Sequence, residues 1–77
     1  MGIVYRIDSK TQQRLSDNIE GEFTEKGFLK ITSGSLKSIN VSKGDFIRFS
    51  HNDLPIVGVY EIILIHSDTF CEVNKVQ

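Results

Sequence analysis

The stretch IVGVYEIILI, residues 56–65, decides the fold class of this chain. Successive side chains of a strand point to opposite faces, and here both faces are apolar except at Glu61. Such a segment is typical of a strand that is covered on both sides. Gly58 is a site where the strand can bend or bulge, so that one strand serves two halves of a barrel. We therefore predict that residues 56–65 form the central strand of a small β domain.

The composition of the whole chain supports the same prediction. The 77 residues contain no alanine, and 27 of them are Ile, Val, Phe, Tyr or Thr, which favour strands. Only 6 are Leu or Met, the apolar residues that favour helices. An apolar fraction of 39% and nearly balanced charges argue against disorder. We expect a single small β domain over residues 1–77, which is too short for a multidomain enzyme.

Turn signals divide the chain into about six short strands. They are Lys26-Gly27, Ser33-Gly34-Ser35, Lys43-Gly44-Asp45 and His66-Ser67-Asp68. From Val41 onward, the order of turn, strand, Pro55, long strand, turn and strand is similar to the second half of many SH3-like barrels. This resemblance concerns an architecture and implies no functional residues. We predict a mainly β fold, a small SH3-like or strongly bent antiparallel barrel with one short N-terminal helix.

The helix is predicted over residues Lys10–Ile19. Asp8 and Ser9 are suitable capping residues, and Leu15 and Ile19 have the i, i+4 spacing of a helix face. The alternative is a polar loop, because two apolar anchors are few for a helix of this length.

The predicted core follows from the alternation of apolar residues in the strands. In the first strand, Ile3, Tyr5 and Ile7 share a face, and we expect that face to be buried. The full set is Ile3, Tyr5, Ile7, Leu15, Phe28, Ile31, Ile39, Val41, Ile47, Phe49, Val59, Ile62, Leu64, Cys71 and Val73.

Two His-x-Asp pairs are the main candidates for chemistry. His51 precedes Asp53, His66 precedes Asp68, and Cys71 follows five residues after His66. The pattern is compatible with a metal site or an acid–base pair, but we favour ordinary turn residues that bond to nearby backbone, because a transition metal usually needs three or four well-placed ligands. No phosphate-binding or hydrolase motif accompanies them. We expect a protein that is not an enzyme and that binds no cofactor and no metal.

A binding function is the remaining expectation. The segment before and within the central strand carries more apolar side chains than a thin core covers, and such a surplus is typical of an interface. We predict association with a protein partner, or with a second copy as a homo-oligomer. The predicted contact residues are His51, Asp53, Leu54, Pro55 and Tyr60, the last for its amphipathic ring.

The alternative is binding of single-stranded nucleic acid. Small β barrels bind single strands through exposed aromatic residues flanked by Lys or Arg. The candidate residues are Arg6, Lys10, Arg14, Phe28, Lys30 and Arg48. Acidic residues are interspersed with them and the net charge is −1, so the usual basic stripe is missing and a protein partner is preferred.

Compartment and origin follow from weaker signals. A single cysteine and no secretory signal favour a cytoplasmic protein, and no apolar stretch is long enough for a membrane-spanning helix. The lack of alanine beside abundant Ile, Lys and Ser is typical of AT-rich genomes. By association we expect a bacterial or phage protein, such as a phage or prophage accessory protein that binds a host or virion protein.

Overall fold

Short strands rich in β-branched and aromatic residues, separated by glycine turns, make up most of the protein. The computed structural model describes residues 2–53 and 57–77. The strands are β1 Gly2–Ile7, β2 Ile19–Glu25, β3 Phe28–Ser33, β4 Phe46–His51, β5 Val57–Ser67 and β6 Phe70–Lys75. The one helix in these residues is a 3₁₀ turn over Lys37–Ile39, and no helix there has the length and apolar character needed to cross a membrane.

The six strands in the described residues close into an antiparallel barrel. Their order around the barrel is β1-β2-β3-β6-β5-β4, with β4 pairing back onto β1. β1, β2 and β3 form a meander and β4 returns beside β1, which is the Greek-key arrangement. Closure leaves no exposed sheet edge. The prediction of a mainly β, small antiparallel barrel is confirmed, whereas the likeness to SH3-like barrels stays a prediction.

The predicted helix over Lys10–Ile19 is wrong, because residues 8–18 form a loop. The Asp8 carboxylate accepts hydrogen bonds from the amides of Lys10 at 2.8 Å and Thr11 at 2.9 Å. These backbone hydrogen bonds, that of Thr11 first, lower the pKa of the Asp8 carboxyl. Gln12 then adopts a left-handed conformation with φ 60°, which reverses the chain instead of continuing a helical turn.

The second half of this loop runs back along the edge of β1. The Leu15 amide donates to the Arg6 carbonyl at 2.8 Å, and the Arg6 amide donates to the Ser16 hydroxyl at 2.8 Å. β1 pairs with β2 only over Gly2 to Val4, so the loop satisfies backbone groups that would otherwise lack partners. Leu15 is 51% exposed, and its place in the predicted core is therefore wrong.

In the part of the chain that the structure describes, the barrel interior is filled by aliphatic side chains, one phenylalanine, one tyrosine and one cysteine. The buried cluster consists of Val4, Ile19, Leu29, Ile31, Leu36, Ile39, Val41, Ile47, Phe49, Tyr60, Ile62, Cys71 and Val73. Phe23 and Ile65 pack against this cluster while remaining partly exposed.

In its first four residues β1 turns the opposite face to the interior from the one predicted, whereas Ile7 is 2% exposed and buried as predicted. Val4 is fully buried and lies across from Phe49 in the ladder with β4. Gly2 lies against the Phe49 ring so closely that a Cβ at this position would come within 2.1 Å of a ring carbon. Ile3 and Tyr5 are therefore half-buried on the outside of the barrel. The bulk of the Phe49 ring leaves room only for Gly2 and Val4 in the first half of β1.

β5 is interrupted by two irregularities in its pairing with β6. They lie between Ile62 and Leu64 and between Ile65 and Ser67, rather than at Gly58. A bulge adds a residue and shifts the alternation of faces. As a result Ile62 is fully buried, whereas Leu64 is 44% exposed and does not belong to the core as predicted.

Candidate functional site

One end of the barrel brings together the β2–β3 hairpin, the end of β4 and the end of β6. His51 pairs with Gly2 at the start of β1, and Lys75 pairs with Tyr60 near the start of β5. The hairpin between β2 and β3 turns at the same end, with Gly27 at φ 86°. We call this region the loop end, because the β4–β5 connection also leaves the barrel here.

A groove with a volume of about 460 Å³ opens at the loop end. We call it the barrel-end groove, and its lining residues are Phe23, Lys26, Gly27, Tyr60, Val73, Asn74 and Lys75. Its size falls within the range of protein sites that accept an organic ligand or a bulky side chain. The groove is a gap at the barrel end that the side chains of residues 2–53 and 57–77 leave unfilled.

Aromatic rings in fixed orientations form the floor of the barrel-end groove. The Phe23 ring centroid lies 4.7 Å from that of Phe49 in an edge-on arrangement and 5.1 Å from that of Tyr60. Such pairs hold each ring in place. Tyr60 is only 9% exposed, and desolvation by burial raises the pKa of its phenol, so the ring is neutral at physiological pH. The floor is therefore apolar and preorganised.

Among the described residues that line the groove, two lysines are the only charged ones. Lys26 comes from the β2–β3 hairpin and Lys75 from the end of β6. Among the described residues, neither ammonium group forms an ion pair with a carboxylate. Glu25 is adjacent in sequence to Lys26, but it lies across from Phe28 in the ladder and does not line the groove.

The structure brings one of the predicted partner-binding residues, Tyr60, into the groove. His51 and Asp53 lie at the same end, where the Asp53 amide donates a hydrogen bond to the His51 ring nitrogen Nδ1 at 3.0 Å. Leu54 and Pro55 lie outside the described residues. Four groove residues were not predicted from the sequence: Phe23, Lys26, Val73 and Lys75. They come from separate parts of the chain, and only the closed barrel brings β2, β5 and β6 together at the loop end.

The two His-x-Asp pairs have local structural roles. His66 Nε2 lies 2.6 Å from a carboxylate oxygen of Glu72, and not beside Asp68. Asp68 instead accepts a hydrogen bond from the Lys37 amide at 2.8 Å, and its carbonyl accepts another from the Leu36 amide. Asp68 thus anchors the start of the 3₁₀ turn. Residues 2–53 and 57–77 contain no group of three or more His, Cys, Asp or Glu side chains that could hold a metal ion.

Cys71 is fully buried in the interior, and we expect its thiol to be unreactive in the folded protein. Desolvation by burial raises the pKa of the thiol from 9.0 to about 11, which lowers the thiolate fraction at pH 8 by about 100-fold. A disulfide reagent at pH 8 should therefore label the native protein at least about 100-fold more slowly than the protein in guanidinium chloride. Equal rates in the two solvents would contradict the buried position.

The residues predicted for nucleic-acid binding do not form one surface. Phe28 and Lys30 lie on β3 and Arg48 lies on β4. These strands are three steps apart in either direction around the six-stranded ring, and thus on opposite walls of the barrel. A single strand of nucleic acid would have to cross an end of the barrel to contact all three residues.

The other basic candidates interact with neighbouring side chains. The Arg14 guanidinium lies 4.7 Å from the centre of the Tyr5 ring, and it also donates a hydrogen bond to Asn18. Arg6 lies 3.7 Å from a carboxylate oxygen of Asp45. Lys10 is exposed in the loop after β1. Asp45 offsets the positive charge of Arg6, and the contacts of Arg14 occupy part of its guanidinium without changing its charge.

Comparisons with known proteins identify no relative of this chain. No protein-family model, no curated protein and no solved structure matches the chain. The barrel-end groove therefore has to be interpreted from its own geometry and chemistry.

Proposed function

We propose that this protein is a non-enzymatic binding module that holds a protein partner at the loop end. The observation that carries the proposal is the barrel-end groove, whose apolar floor of Phe23, Tyr60 and Val73 is preformed and open to solvent. The groove accepts an apolar side chain of the partner, and His51 and Asp53 at the same end extend the contact surface. A cytoplasmic location and a phage or bacterial origin remain predictions from composition.

Apolar contact in a preformed pocket is the usual source of affinity at protein interfaces. A few buried aromatic or aliphatic anchors supply most of the binding energy, and the surrounding rim mainly excludes water. Because Phe23 and Tyr60 are already held by their neighbours, little side-chain freedom is lost when the groove is filled. A module of this size can therefore bind a partner through one anchored side chain.

Filling the groove tests this proposal. Asn74 is exposed and lines the groove, so Asn74→Trp should occupy it without a change of charge. Thr32→Trp is the matched control, at an exposed position of β3 near the other end of the barrel. A protein captured from the source cell by the immobilised wild type is identified and purified, and its Kd is measured for all three chains.

We expect Asn74→Trp to raise the Kd for the captured protein at least tenfold and Thr32→Trp to leave it unchanged. Circular dichroism should show that both variants keep the wild-type fold. Equal binding by wild type and Asn74→Trp, or failure to capture any protein, would contradict the proposal. A second copy of the chain is also a protein partner. In that case sedimentation at two concentrations would show a mass that doubles in the wild type and not in Asn74→Trp.

Single-stranded nucleic acid is the second candidate, and one feature favours it. On the outside of the barrel the Phe28 and Phe70 rings stack, with centroids 5.9 Å apart, and Lys30 lies across from Phe70. Stacked aromatics beside a lysine are suitable for contact with a base. Glu72 lies across from Phe28, which weakens the attraction for phosphate. An oligothymidylate whose binding falls steeply with salt and is lost in Phe70→Ala would support this function, and no binding at low salt would exclude it.

A further inference from the structure

We infer that the barrel-end groove selects a peptide segment in which a bulky apolar side chain is flanked by carboxylates. The inference rests on the proposed function and specifies the chemistry of the partner. It follows from combining the apolar floor of the groove with the sign of the charges at its rim. The occupant is a segment of a partner protein.

The charge at the rim of the groove is of one sign. The described residues of its lining include Lys26 and Lys75 and no carboxylate side chain, although the chain as a whole has 10 acidic and 9 basic residues. Neither lysine has an ion-pair partner among residues 2–53 and 57–77. Two like charges at one opening attract a segment of opposite charge and disfavour a basic one.

The two lysines enter the groove from different strand ends. Lys26 belongs to the hairpin that joins β2 to β3, whereas Lys75 lies across from Tyr60 in the pairing of β6 with β5. The apolar floor lies between these elements, because Phe23 is on β2, Tyr60 is on β5 and Val73 is on β6. A segment whose apolar residue has acidic neighbours can therefore place carboxylates toward both ammonium groups.

The exposure of the lysines indicates how they act. Both side chains belong to exposed residues, so they contribute by charge and not through a fixed, buried hydrogen-bond geometry. Interactions of this kind are screened by salt. We expect the preference for an acidic segment to decrease as ionic strength rises, whereas the contribution of the apolar anchor should remain.

The first experiment uses three labelled peptides with the purified full chain. One contains Glu-Glu-Phe-Glu-Glu, the second replaces each Glu by Lys, and the third replaces Phe by Ser. Binding is measured by fluorescence anisotropy at low salt and located by the amide signals of Gly27, Val73 and Lys75 in ¹⁵N spectra. We expect the first peptide to bind at least tenfold more tightly than either of the others and to shift these three signals. Equal binding of the first and second peptides would overturn the inference.

The second experiment reverses the charges of the chain. The double variant Lys26→Glu, Lys75→Glu is compared with Lys10→Glu, Lys43→Glu, which changes the net charge equally. Lys10 follows β1 and Lys43 precedes β4, and Ile7 and Phe46 pair where these strands meet, at the barrel end opposite the groove. We expect the first double variant to lose at least tenfold in affinity for the acidic peptide, and the second to bind like wild type.

The two proposals fail in distinguishable ways. If Asn74→Trp abolishes binding of the captured partner and Lys26→Glu, Lys75→Glu leaves it unchanged, the groove is a binding site and the acidic preference is wrong. If Asn74→Trp has no effect on the partner or on the peptide, both the proposed function and this inference are wrong. Loss of binding in both variants, with both controls unaffected, supports the two proposals together.

Discussion

Phe49→Ala should unfold the protein or leave it only marginally stable. Phe49 is 1% exposed, lies across from Val4 and contacts the Phe23 ring edge-on. Removing a buried phenylalanine side chain costs about 3–5 kcal/mol, because transfer energy is lost and a cavity remains. A chain of 77 residues has a free energy of unfolding of about 4–12 kcal/mol, so the loss is a large part of the total. Urea unfolding followed by circular dichroism measures it.

Phe70→Ala is the control for this experiment. Phe70 is half-buried on the outside of the barrel, where it stacks on Phe28 and contacts the His66 ring. We expect a loss of about 1 kcal/mol, the order of magnitude of one aromatic pair interaction. Equal losses in the two variants would mean that Phe49 does not occupy the interior as described.

Ile62→Ala should destabilise the barrel far more than Leu64→Ala. Both residues are apolar and belong to β5, and simple alternation places them on the same face. The bulge between them separates their environments, so that Ile62 is fully buried and Leu64 is 44% exposed. The expected losses are about 2–5 kcal/mol for Ile62→Ala and below about 1 kcal/mol for Leu64→Ala.

The pair of variants is its own control, because each removes a branched aliphatic side chain from the same strand. Denaturant midpoints with unchanged slopes give the difference in free energy directly. If Leu64→Ala were as destabilising as Ile62→Ala, the strand would continue without a bulge and the alternation predicted from sequence would be correct.

Only part of the candidate site can be predicted from the sequence. Tyr60 was identified because an amphipathic ring in an otherwise aliphatic strand suggests a boundary between core and surface. Phe23 belongs to a short, mainly polar strand. Nothing in the adjacent sequence indicates that its ring centroid lies 5.1 Å from that of Tyr60. Lys26 and Lys75 are far apart in the chain, and an isolated lysine near a turn resembles many solvated lysines. Their common position depends on which strands are neighbours.

The fold class and the turns depend on local chemistry, and for that reason the sequence determined them. A chain without alanine, rich in β-branched residues and divided by turns such as Lys26-Gly27, has few alternatives to short antiparallel strands. Alternation also placed Ile3 and Tyr5 on one face of β1 and Gly2 and Val4 on the other, although Ile7 is buried with Val4. Which of the two faces points inward depends on whether the neighbouring strands leave room, and the Phe49 ring on β4 decided this in favour of Gly2 and Val4. Closure of the barrel likewise created the groove, because a surface shared by β2, β5 and β6 exists only when these strands are assembled.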